Sequence, residues 1–155
     1  MASLNSTTVA LVSACRSTEG AEQWIHRKLL DTVCRYAPTG PVNVSKAAQA
    51  EADRRGLGDL RSYGWHDQRT KMRDPERVTF AWEHFWPVRE LRVALEALEN
   101  PTERRVRAIL RRASIAWILK VEDRELTRLR FGSRRPDPPA AYRKAGIELL
   151  HDWPW

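Results

Sequence analysis

The residues best suited to chemistry in this 155-residue chain fall into a few groups. Glu83 and His84 stand side by side with Pro87 following, in the string E-H-x-x-P. Trp65-His66-Asp67-Gln68 sets a second imidazole beside a carboxylate, and Glu122 and Glu125 follow the apolar run from Ile115 to Val121. Arginines cluster at Arg104, Arg105, Arg107, Arg111 and Arg112, and again at Arg130, Arg134 and Arg135. An imidazole titrates near neutrality, so His84, and in second place His66, can act as a general base on water. Carboxylates are the oxygen donors that hard divalent cations prefer, which makes Glu83, Glu122 and Glu125 candidate ligands for Mg²⁺ or Mn²⁺. The guanidinium fork matches phosphate oxygens two at a time, so the arginine clusters are candidate contacts to a DNA or RNA backbone.

The E-H-x-x-P string resembles the first half of the HNH, or ββα-metal, nuclease signature, in which an acidic residue and a His precede a Pro. The resemblance implies a nucleic-acid-directed, metal-dependent hydrolase. His84 would activate water for attack on a phosphodiester, and Glu83 would bind the cation, with Glu122 or Glu125 as a further ligand. Read from the residues alone, other assignments stand beside it. Glu83 and His84 are also ordinary strand residues, His84 hydrogen-bonded within a Trp-lined core. The chain as a whole also reads as a non-catalytic basic module that binds DNA or RNA. A third reading is a protein-interaction subunit or homo-oligomer that uses Trp-rich surfaces, because aromatic residues are enriched at interfaces.

Several elements must position these groups. Val78 to Trp86 alternates with period two and is rich in aromatic and β-branched residues, which predicts a strand. Pro87 ends it, since proline cannot donate to a ladder. The same alternation puts His84 with Trp82 and Trp86 on one face and Glu83 on the other. Val88, Leu91, Leu95 and Leu98 predict a helix. Asn100, Pro101 and Glu103 predict the start of the next one, with Asn100 as cap and Val106, Ile109 and Leu110 facing inward. Ile115 to Val121 predicts a strand covered on both faces, and Glu122 to Leu129 a helix.

Upstream, the chain predicts a frayed start over Met1–Thr7 and an apolar helix over Val9–Cys15 capped by Ser6 or Thr7. A second helix reaches Tyr36, with Trp24, Ile25, Leu29, Leu30 and Val33 on its apolar side. Pro38, Gly40 and Pro41 break it. An Ala-rich helix follows over Lys46–Arg55, capped by Ser45 and ended by Gly56. If that helix were half of a helix-turn-helix, Lys46, Arg54 and Arg55 would lie near DNA. Downstream, a basic Pro-rich loop leads to a short helix over Ala140–Ala145, and Trp153 and Trp155 pack back or meet a partner.

The fold class expected is α-dominant α+β: one domain over 1–155, with a small sheet flanked by several helices. It divides into a helical part over 1–56, a basic loop over 57–77, a strand-helix-helix-strand-helix core over 78–130, and a tail over 131–155. The formal charge is +7, with hydrophobic content of 42% and charged content of 30%. That suits a globular domain with an anionic partner. Cys15 and Cys34 are too few for a zinc cage and read as reduced, packed thiols. No stretch approaches the ~20 apolar residues a membrane helix needs, so the expectation is a cytoplasmic protein with no membrane partner.

Overall fold

The computed structural model describes residues 3–37 and 42–151. The breaker residues Pro38, Gly40 and Pro41 and the aromatic pair Trp153 and Trp155 lie outside them. The fold is α-dominant α+β, with a small mixed sheet of three strands and seven α-helices among the described residues. The chain divides into two compact units, each built from two separate stretches.

The first unit comprises Met1–Gly40 and Trp86–Ser114 and is helical. Helix α1 (Leu4–Ser17) starts earlier than predicted, because Ser3 and not Ser6 or Thr7 caps it, its hydroxyl accepting from the Ser6 amide at 3.2 Å. Thr8 is buried instead, and its hydroxyl donates to the Leu4 carbonyl. Helix α2 (Gly20–Tyr36) follows after a short break. Its turn residue Gly20 has φ +59°, a left-handed conformation that glycine adopts without strain.

The second stretch of this unit carries α4 (Val88–Glu96) and α5 (Glu103–Leu110); α3 (Lys46–Arg54) lies in the other unit. The helices bury one stripe each: Val12 and Cys15, Leu30 and Cys34, Leu91 and Leu95, Val106 and Leu110 form one core. At its polar margin the Arg92 guanidinium reaches Asp31 at 2.9 Å and Glu96 at 2.8 Å. Cys15 and Cys34 are free thiols inside this core.

The cap of α5 differs from the sequence expectation. Thr102, not Asn100, takes the N-cap, its hydroxyl accepting from the Arg105 amide, so Glu103 is the first helical residue. Glu103 in turn accepts a hydrogen bond from the Ser6 hydroxyl.

The second unit comprises Pro41–Phe85 and Ile115–Trp155 and holds the sheet. Strands β1 (Asn43–Val44), β2 (Phe80–His84) and β3 (Ile115–Leu119) lie in the order β1-β3-β2, with β1 parallel and β2 antiparallel to β3. Central β3 is buried from Ile115 to Ile118, as a strand covered on both faces must be.

Trp82 pairs with Trp117 across the sheet, their rings edge to face at 4.7 Å. The Trp117 indole donates to the Tyr63 carbonyl at 3.0 Å, so this ring is both packed and hydrogen-bonded. Helix α3 (Lys46–Arg54) begins at Ser45, whose hydroxyl caps the Ala48 amide, and packs Ala48 and Ala52 with Val44, Phe80 and Trp117. Two 3-10 turns, Leu60–Ser62 and Trp65–Asp67, follow α3 where a helix-turn-helix would place its second α-helix. Helices α6 (Lys120–Arg128) and α7 (Pro138–Lys144) complete the unit.

Candidate functional site

Strand β2 ends at His84, earlier than the predicted limit of Trp86, and the side chains along it alternate as period two requires. Trp86 belongs to the helical unit, where it packs against the apolar core. Glu83 shares its face with Ala81, and its carboxylate is taken up by a neighbour. Arg135 is fully buried, and its guanidinium donates to Glu83 Oε1 at 2.7 Å, to the Phe85 carbonyl at 3.0 Å and to the His84 carbonyl at 3.2 Å. Its Nε donates to the Phe131 carbonyl at 3.0 Å. The cation lies over the Tyr142 ring, 5.3 Å from its centroid, and Phe85 meets the same ring at 4.8 Å. Burial pushes the Glu83 carboxyl above its usual range, against the pull of Arg135, and pushes the Tyr142 phenol up as well.

The expected phosphate contact Arg135 is thus buried with its donors taken up inside the protein, and the expected metal ligand Glu83 is paired through Oε1 with that guanidinium.

The other proposed ligands are likewise occupied. Glu122 Oε2 accepts from the Leu119 amide and the Ser45 hydroxyl, both at 2.7 Å, and so fastens the start of α6 to the start of α3. Glu125 forms a two-pronged pair with Arg128 on an exposed helix surface, and the partner guanidinium lowers its carboxyl below the usual range. His66 is exposed and meets the Trp65 ring edge-on at 4.9 Å. Its neighbour Asp67 pairs with Lys71 at 2.8 Å and accepts from the Gly64 amide at 2.9 Å. Among the described residues no three His, Cys, Asp or Glu side chains are grouped as a metal ion requires.

The arginines divide sharply by environment. On α3, Arg54 and Arg55 both pair with Glu51, and Arg55 also donates to the Thr79 hydroxyl at 2.7 Å. Lys46 pairs with Glu148 at 2.7 Å. On and just after α5 the pattern reverses. Arg104, Arg105, Arg107, Arg111 and Arg112 are all exposed. Among the described residues none has a carboxylate within ion-pair distance. Arg105 reaches the Asn100 carbonyl at 3.2 Å, and Arg112 lies over the Trp86 ring at 5.3 Å. With Val106 and Leu110 buried, the helix presents one apolar and one cationic face. Arg130 and Arg134 of the other unit are also exposed, Arg130 in a left-handed conformation at φ +65°.

Two features escaped the sequence reading. One is the buried Arg135. The other is Asp74, whose carboxylate accepts from Gln68 Nε2 and from the amides of Val78, Thr79 and Phe80. Burial pushes its carboxyl up, but these hydrogen bonds outweigh that and hold it below the usual range. The signal for Asp74 was its place just before Pro75, where an Asx side chain commonly organises a turn. No family model, curated protein or solved structure matches the chain.

Proposed function

We propose that the chain is a non-catalytic nucleic-acid-binding module that grips the phosphate backbone of DNA or RNA through the arginine face of α5. The observation that carries this reading is the set of five exposed arginines with no carboxylate partner among the described residues, in a chain where many other cations are paired. From Arg104 to Arg112 the backbone advances about 12 Å at helical rise. That matches roughly three to four phosphates along one strand of a duplex. Arginine at the last turn also complements the helix dipole, so the face is compatible with a stable helix in the unbound protein.

Contacts of this kind fix position on the backbone without reading bases. The hydrolase reading has less support, because its ligands are held by Arg135, Ser45 and Arg128. Free, buried thiols are compatible with a cytoplasmic setting.

Fluorescence anisotropy with labelled duplex and single-stranded oligonucleotides tests the proposal. Binding is expected at low salt, with a steep loss as salt rises, and no cleavage when Mg²⁺ or Mn²⁺ is added. Absence of binding at low salt contradicts the proposal. Metal-dependent cleavage lost in His84→Ala would restore the hydrolase.

A second reading, association with a protein or a second copy, draws on α2. Trp24, Ile25, Leu29 and Tyr36 of that helix are exposed by 60%, 49%, 45% and 78%. Exposed large apolar side chains gathered on one element are a common mark of an interaction surface. Mass that rises with concentration in light scattering, and is restored to monomer by Trp24→Asp with Leu29→Asp, is the expected sign of self-association.

A further inference from the structure

We propose that the turn-rich segment from Gly64 to Val78 is a stacking platform for a base of single-stranded nucleic acid, with Trp65 as its ring. This rests on the nucleic-acid reading above and assigns a second contact of a different kind. Trp65 is 41% exposed. The Arg77 guanidinium lies 3.8 Å from the ring centroid, the shortest cation–ring approach among the described residues. The Arg77 Nε–H is buried and has no hydrogen-bond partner among the described residues. An exposed indole with a guanidinium stacked beside it is suited to a planar aromatic group. A nucleobase is such a group, and its stacking is tolerant of sequence because every base has a π-face.

The backbone of the segment is held for this geometry. Arg73 and Arg77 are both left-handed, at φ +51° and +53°, a conformation side-chain-bearing residues seldom adopt. Such residues persist only where the surroundings over-determine them, and they gather at binding sites. Here the surroundings are Asp74, which lies between them and holds the amides of Val78, Thr79 and Phe80, with the Arg77 amide donating to its carbonyl at 3.0 Å. Arg69 and Arg73 are exposed on the same segment and have no ion pair among the described residues, so the neighbouring phosphates would meet positive charge.

The test uses the full chain and two labelled probes of equal length, an oligothymidylate and an abasic oligonucleotide, which share phosphates and differ in bases. The wild type is expected to prefer the thymidylate on the order of tenfold. Trp65→Ala should lose that preference while binding the abasic strand as before, and Trp65→Phe should keep most of it. Equal affinity of the wild type for the two probes overturns the platform, as does a preference that survives in Trp65→Ala or is lost equally in Trp65→Phe. A wild type that binds neither probe overturns instead the nucleic-acid reading on which the platform rests.

Discussion

At the residue scale, Glu83 and Arg135 make opposite demands on pH and on mutation from those of a metal site. Arg135→Ala would leave a buried carboxylate and two strand-end carbonyls without their donor. Breaking a buried pair in this way costs about 3–5 kcal/mol, and the expected result is a large fall in the urea midpoint, with no dependence on added Mg²⁺. An unchanged midpoint would show that the guanidinium is not held as described.

The two buried acids also differ in sign. Glu83 has its carboxyl raised above the usual 4.5, so its contribution to stability is complete below that value and is lost as pH rises through the folded-state value. Asp74 is lowered below the usual 3.8, so its contribution is present above that value and is lost as pH falls through the folded-state value. Urea midpoints followed across acid pH should therefore show Asp74→Asn flattening the acid limb, with the stability of the variant falling less steeply below the carboxylate range than that of the wild type. Parallel curves for the two proteins would contradict this.

At the element scale, the cap of α5 separates the observed helix start from the one the sequence predicts. Thr102→Ala should lower stability by about 1 kcal/mol, and Asn100→Ala should leave it nearly unchanged, in thermal melts of the two variants. The reverse ranking would place the start at Asn100. The sequence pointed to Asn100 because Asn, Pro and Glu at that spacing fit a capping box, and Thr102 two residues on fits a cap equally well. What decides between them is the Thr102 hydroxyl, which accepts from the Arg105 amide in the folded chain.

Strands β2 and β3 were legible because each carries a long enough period or apolar run to be read locally. Strand β1 was not. Two residues have no period, and Asn43–Val44 is a strand only because distant Ala116 and Trp117 pair with it. Arg135 was illegible for a related reason. An arginine in a Pro-rich loop reads as solvated, and what buries it is an acid on the inward face of β2, far off in sequence. The same missing long-range information made Glu83 resemble a ligand.

At the scale of the whole molecule, both thiols belong to the helical unit's core. Burial pushes the Cys34 thiol up to about 12, with Asp31 adding to the rise, and burial raises Cys15 as well. The thiolate is the reactive form, so labelling by a thiol reagent near neutral pH should be slow in the native protein and complete in denaturant. Rapid labelling of native protein would contradict a closed core.

Among the described residues no helix is long and apolar enough to cross a membrane. The net charge of +7 is not spread evenly over paired and unpaired groups, for the acids neutralise α3, α6 and the Arg92 network and leave α5 cationic. That segregation is what supports the proposed backbone grip of α5. It is tested most directly by the salt dependence of duplex binding in the wild type and in the triple variant Arg104→Ala, Arg107→Ala, Arg111→Ala. Each phosphate neutralised adds about 0.9 to the slope of log affinity against log salt. The wild type should give a steep negative slope, and the variant one shallower by about two to three, with weaker binding at low salt. Equal slopes in the two proteins, or a wild type whose affinity ignores salt, would remove α5 from the interface.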